Sequence, residues 1–179
     1  LPTFAFAVDA DGDGVDSGSA AFTEGFESEL QGWTLSPVAS NFGRTTTSGG
    51  GRVHAGSYAG GWTSTSGSTY GEFSRSMSFG PSAQISFWRG ISGINSNPDV
   101  QLLIDGVQQT LSCGGLSNKW QQCSYGITEG THQISIKVRS PGVFCSIGCV
   151  SVGHWVDDIV ISAAVDNCPS VANPTQLDT

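Results

Sequence analysis

Asp9, Asp11 and Asp13 stand at alternate positions in Asp9-Ala10-Asp11-Gly12-Asp13-Gly14-Val15-Asp16. That spacing turns successive carboxylates inward, and Gly14 sits where a loop wrapped around a cation must turn sharply. Val15 would add its backbone carbonyl, and Asp16 brings a fourth carboxylate to the segment. Four such charges repel one another unless a cation lies among them, so calcium is the expected ion. No Glu stands at the twelfth position, where an EF-hand carries its bidentate Glu, and no amphipathic helix flanks the loop, which excludes a calmodulin-like sensor. Without an ion the same residues would be a solvated acidic linker.

The elements that hold such a loop must come from the rest of the chain. Its 179 residues suit one domain with appendages. The net charge is −8, but residues 20–164 hold nine acids and all seven bases, a net of −2. The near-neutral middle has no basic stripe for nucleic acid. No stretch is apolar enough to insert into a membrane. Leu1 to Val8 lacks a basic n-region and a cleavage site, as expected of a mature or excised fragment. Five cysteines leave one over. Cys113 and Cys123 flank a short loop and can pair across neighbouring strands. Cys145 and Cys149 can staple a tight loop, leaving Cys168 over. Zinc is the rival of the Cys-x3-Cys pair, but no second thiol or His pair stands at suitable spacing. Disulfides imply an oxidising compartment, so a secreted or extracellular location, with the cell surface as an option, is expected.

The segment Asp166-Asn167-Cys168-Pro169 to Asn173-Pro174-Thr175-Gln176-Leu177-Asp178 resembles the opening of a thrombospondin type 3 repeat, and Asp9–Asp16 resembles the Asp-rich core of one. The resemblance implies calcium binding and a spacer role for residues 1–21 and 164–179. Thr179 precedes the partner cysteine that such a repeat would supply to Cys168.

Between these ends, residues 22–163 read as β-structure. Phe73, Arg75, Met77 and Phe79 alternate with serines, as do Ile85 and Phe87 with Ser86 and Trp88, and Ile134, Ile136 and Val138 with Ser135, Lys137 and Arg139. Asp105-Gly106 between Ile104 and Val107 predicts a type I′ hairpin. No helical period survives ten residues. Roughly ten short strands with Gly/Ser turns predict an all-β, two-sheet antiparallel β-sandwich, or jelly roll, with calcium-binding loop segments at the termini.

Phe26-Glu27-Ser28-Glu29 with Gly32-Trp33, His54-Ala55-Gly56-Ser57-Tyr58-Ala59, Ile85-Ser86-Phe87-Trp88, Leu102 to Gly106, Gly130 to Ile134, and Trp155-Val156-Asp157-Asp158-Ile159 occur in an order similar to bacterial MAM-like and cleaved-adhesin-like jelly-roll modules. That resemblance implies a module beside secreted hydrolases or on adhesins. It also implies a structural calcium between Glu27 and Asp158, with carbonyls from the loop around Ser57. Otherwise Asp158 accepts turn hydrogen bonds and Glu27 is solvated.

Five tryptophans are many for this length. A pyranose lays its apolar C–H face on an aromatic ring while polar neighbours fix its hydroxyls. Trp62, placed in a Gly/Ser/Thr-rich loop, Trp88 with Arg89 beside it, and Trp120 between two cysteines are the candidate ligand-binding residues. Trp33 and Trp155 read as structural, and core packing is the competing role for all five. The three histidines are scattered, and no nucleophile elbow or zinc-protease motif appears. Asp157 and Asp158, adjacent on a strand, would face opposite sides. A non-catalytic carbohydrate-binding module follows, monomeric within a longer chain, with a polysaccharide or glycan as partner and a polysaccharide-degrading enzyme as neighbour. The alternatives are a module of an adhesin or secreted protease that binds surface or matrix protein, and a pure spacer.

Overall fold

The computed structural model describes residues 22–28, 30, 32–36, 42–46, 53–62, 69–80, 83–92, 98–115, 117, 119–145 and 149–162, with the backbone alone over 142–145 and 149–151. Asp9, Asp11, Asp13, Val15, Asp16 and Cys168 lie outside the described residues.

Every element among the described residues is a strand. In chain order they are β1 (Phe22–Glu24), β2 (Thr34–Ser36), β3 (Phe42–Thr46), β4 (Tyr58–Trp62), β5 (Tyr70–Phe79), β6 (Ala83–Ile91), β7 (Val100–Ile104), β8 (Val107–Gln108), β9 (Ser112–Cys113), β10 (Trp120–Ile127), β11 (Gly130–Arg139), β12 (Gly142–Cys145), β13 (Cys149–Val152) and β14 (His154–Ser162). One sheet has the order β3-β4-β14-β6-β10-β9, with β1 also on β14. The second runs β2-β5-β11-β7-β8, and β12 and β13 form a small hairpin. All pairings are antiparallel. The fold is the two-sheet β-sandwich that the alternating serines predict.

The core is the sum of those alternations. Phe73, Ile85, Phe87, Leu102, Ile134, Ile136 and Val138 are all fully buried between the sheets. Burying one such side chain contributes roughly 1.5–3 kcal/mol. The β7–β8 turn forms as expected: Asp105 (φ 51°) and Gly106 (φ 80°) both take the left-handed conformation that a type I′ turn requires.

Cys113 and Cys123 are register partners on β9 and β10, with Cα atoms 4.1 Å apart, and are disulfide-bonded. Cys145 and Cys149 face each other in the β12–β13 register; their side chains lie outside the described residues.

One irregularity positions the candidate site. Along the same edge of β14, its first half pairs with β4 through Trp155 and Val156. Its second half pairs with β1 through Ile159 to Ile161. Against β6 the register shifts between Asp157 and Val160, and Asp158 has φ 46°. A bulge therefore falls where one partner strand ends and the other begins, a place where backbone N–H groups need other acceptors.

Candidate functional site

Carboxylates meet that need. Asp157, fully buried, accepts from the backbone N–H of His54 at 2.9 Å and Ala55 at 3.4 Å through Oδ2, and from Asp158 N at 2.8 Å through Oδ1. Glu27 Oε1 accepts from Ser57 N at 2.8 Å and Tyr58 N at 3.0 Å. Buried Glu24 accepts from Phe26 N at 2.6 Å. Arg44 donates to the carbonyls of Phe26 at 2.5 Å and Glu27 at 2.9 Å, which holds Phe26 at its unusual φ of 58°. Residues 53–58 are thus tied to the sheet by acids from β14 and from the turn after β1. Burial and the neighbouring Asp158 charge push the Asp157 carboxyl up to about 7. Burial likewise raises Glu24.

Glu27 and Asp158 both lie beside Gly25. A Cβ at Gly25 would lie 3.6 Å from Asp158 Oδ1 and 3.9 Å from Glu27 Cγ. The loop around Ser57 meets Glu27 through its N–H groups rather than its carbonyls. Asp158 Oδ2 is also engaged, 2.7 Å from His54 Nδ1. Asp158 Oδ1 and Glu27 Oε2 remain as oxygens for a hard cation. No group of three or more His, Cys, Asp or Glu side chains that could hold a metal occurs among the described residues, so calcium would draw on backbone carbonyls or residues outside them to reach six or more oxygens.

The outer face of the larger sheet carries the aromatics. In one row of register partners Gly43, Gly61, Trp155, Gly90 and Trp120 follow one another across five strands. The alternation of glycine and tryptophan lets each indole lie against neighbouring backbone. A Cβ on Gly90 would stand 2.8 Å from the Trp120 ring, and one on Gly61 would stand 2.7 Å from Trp155. Trp120, Trp155 and Ala59 form a small buried cluster, with Val53 and Trp88 packed on it. Trp88 lies in the next row, flanked by Asp157 and exposed Gln122. The imidazole of His54 stacks on Trp88 with centroids 3.9 Å apart and planes inclined by 16°, and meets Trp120 edge-on at 5.4 Å. The Trp155 indole N–H is buried and has no hydrogen-bond partner among the described residues.

The structure separates the residues that the sequence grouped. Trp62 is not in a loop: it ends β4, is 3% exposed, packs on Phe42 and donates to Val138 O at 3.0 Å. It is a core residue, because it pairs with Phe42 and lies on the same face of β4 as Gly60, which faces Phe26 and Phe73. Trp88 faces outward and remains partly exposed, whereas Trp120 is on the same face but only 6% exposed. Arg89 points to the opposite side of the sheet from Trp88. There it binds Gln121 Oε1 through Nε (2.9 Å) and Nη2 (2.7 Å), and burial depresses its pKa. Arg89 and Trp88 therefore do not form one site. Trp33 is core, as expected. Trp155 is buried but belongs to the outer aromatic cluster, and neither it nor His54 was singled out by spacing. The signal that would have found them is the row of glycines, which shows only once strands are paired.

No family model matches the chain, and no curated protein does. Among solved structures the chain is similar to TmCBM61 in complex with β-1,4-galactotriose, with a TM-score of 0.44 and 15% identity over 76% of this chain and 92% of that one. It is also similar to the native structure of a family 35 carbohydrate-binding module from Clostridium thermocellum, with a TM-score of 0.39 and 12% identity over 80% of this chain and 92% of that one. At these values neither likeness assigns a ligand or a site to this chain.

Proposed function

We propose that this chain is a non-catalytic carbohydrate-binding module of a secreted multidomain protein, serving to hold a polysaccharide near a degrading enzyme. The observation that carries this reading is the outer face of the larger sheet. There a partly exposed Trp88, stacked by His54, stands beside the exposed amide of Gln122 and over the buried Trp120–Trp155 pair. An aromatic wall with an adjacent amide and imidazole suits a ligand with both C–H faces and hydroxyls.

The test is a glycan array and affinity electrophoresis on neutral plant, algal and animal polysaccharides in calcium. Binding by the wild-type chain, weakened by Trp88→Ala by on the order of 2 kcal/mol, supports the reading. Retention by no polysaccharide, or retention unchanged in Trp88→Ala, overturns this site. Capture of matrix or cell-surface protein instead would favour an adhesive module.

Calcium belongs to the same proposal as a structural ion. Asp158 Oδ1 and Glu27 Oε2 would hold it at the bulge of β14, and Asp9, Asp11, Asp13, Val15 and Asp16 would hold a second in the N-terminal segment. The paired position of Glu27 and Asp158 beside Gly25 supports the first site. Bound there, the ion would neutralise two carboxylates and stiffen the loop that carries His54.

A further inference from the structure

The outer face of the smaller sheet carries an aromatic of its own. Tyr70 opens β5 and is, with Val107, one of two large hydrophobic side chains exposed among the described residues. Its neighbours follow from the register. Arg139 on β11 pairs with Tyr70, and Lys137 pairs with Glu72 on one side and Gln101 on the other. Successive outward residues on a strand stand about 6.7 Å apart, so the patch consists of two adjoining polar rows.

The Tyr70 hydroxyl is held by two partners. It donates to Asp99 Oδ1 at 2.8 Å and accepts from Gln101 Nε2 at 3.0 Å. Arg139 Nη1 in turn donates to Asp99 Oδ2 at 3.0 Å. Asp99 is anchored from behind, because its backbone N–H donates to the Nδ1 of buried His154 at 2.9 Å. The phenol ring is therefore held still with part of its surface in solvent. Around it remain unused capacity on the Gln101 amide, on the Arg139 guanidinium and on the second lone pairs of Asp99.

The charges decide the ligand class. Glu72 and Lys137 lie 3.8 Å apart, and Asp99 and Arg139 3.0 Å apart. Two acids and two bases pair off, so the patch is electrically neutral and favours neither a sulfated nor a uronate-rich polymer. A rigid aromatic amid paired, still hydrogen-bonding side chains suits a neutral, polyhydroxylated ligand. Such a ligand can cover the ring with its C–H face and bridge carboxylate, guanidinium and amide with vicinal hydroxyls.

We infer that Tyr70, with Asp99, Gln101 and Arg139, forms a second contact site for a neutral oligosaccharide, on the opposite side of the sandwich from Trp88. The inference shares the ligand class of the proposed function but not its residues. A module with one site per face would bridge two chains of a polysaccharide, or gain avidity on a single surface.

Affinity electrophoresis against soluble neutral polysaccharides (galactan, xylan, mannan and mixed-linkage glucan), with the wild-type chain, Tyr70→Ala, Tyr70→Phe, Trp88→Ala and Trp88→Ala/Tyr70→Ala, is the test. Unchanged thermal melts establish that each variant folds. The expected result is residual retention in Trp88→Ala that the double variant loses, with Tyr70→Ala alone weakening binding by roughly tenfold. Tyr70→Phe keeps the ring but releases it from Asp99 and Gln101, so its loss should be smaller. Loss of all retention in Trp88→Ala, or retention that Tyr70→Ala leaves unchanged, overturns the second site while the Trp88 reading stands. Retention abolished by Tyr70→Ala and untouched by Trp88→Ala supports Tyr70 and removes Trp88. No retention of the wild type on any of the four polymers sinks both.

Discussion

His132 and Asp105 form a clamp between two hairpin turns, with His132 Nδ1 2.6 Å from Asp105 Oδ2 and the His132 Nε2 3.1 Å from Thr128 O. Asp105 also accepts from Gln133 N at 2.8 Å. The hydrogen bond to Asp105 raises the His132 pKa above 6.5, and the same contact lowers that of Asp105 below 3.8. The signs follow by linkage. The histidine's stabilising contribution is complete below pH 6.5 and is lost as pH rises through its raised folded pKa. The aspartate's is complete above pH 3.8 and is lost as pH falls through its depressed one. The clamp should therefore be strongest between those two folded values. An NMR titration of the His132 ring is expected to show a pKa above the free value that Asp105→Asn returns downward. Trp62 belongs to the same scale. Its indole fills the core beside Phe42 and donates to Val138 O, so Trp62→Ala should cost roughly 3–5 kcal/mol in urea unfolding. Variants that still fold should bind glycan as the wild type does.

At the scale of elements, the site depends on how strands meet. The bulge in β14 leaves residues 53–57 to be held by side chains rather than by a ladder, and the anchoring acids are distant in the chain: Asp157 is 103 residues from His54 and Glu27 is 30 from Ser57. Glu27→Ala should release the Ser57 and Tyr58 amides, seen as faster hydrogen exchange at those two positions, while the amides of β5 and β11 stay protected. The glycine–tryptophan row makes the opposite point about tolerance. Gly90→Ala would drive a Cβ to 2.8 Å from the Trp120 ring. It should destabilise the fold by about 1–3 kcal/mol, the range for overpacking, and shift tryptophan fluorescence. Much of this element scale was legible beforehand. Period-two alternation marks β5 and β11, because side-chain direction on a strand is a local property, and Asp105-Gly106 marks its turn for the same reason. β4 was not legible: Tyr58-Ala59-Gly60-Gly61-Trp62 has no polar phase, so nothing local says that Trp62 turns inward.

On the scale of the whole molecule, the two sheets meet in one core, and further restraints act on the larger sheet. The Cys113–Cys123 bond ties the edge strand β9 to β10 across a separation of 10 residues. Closing so short a loop stabilises by about 2–3 kcal/mol in the chain-entropy description, so reduction should lower the melting temperature without abolishing the fold. Calcium should act inside the same sheet, where β1 and β4 share β14. A chelator is expected to lower the melting temperature and added calcium to raise it in proportion to the logarithm of its concentration. Glu27→Gln should blunt that response, and its persistence in a variant lacking residues 1–21 would assign it to the bulge. The sequence by itself determined the sheet class, the strand phase where serine alternates with apolar residues, the type I′ turn and the neutrality of the middle, since each follows from local stereochemistry or from composition. Only the tertiary structure decided which tryptophans share a face, that Arg89 lies across the sheet from Trp88, and that acids near both ends of the sandwich anchor one loop. Those outcomes depend on strand order and register, which bring together residues a hundred positions apart.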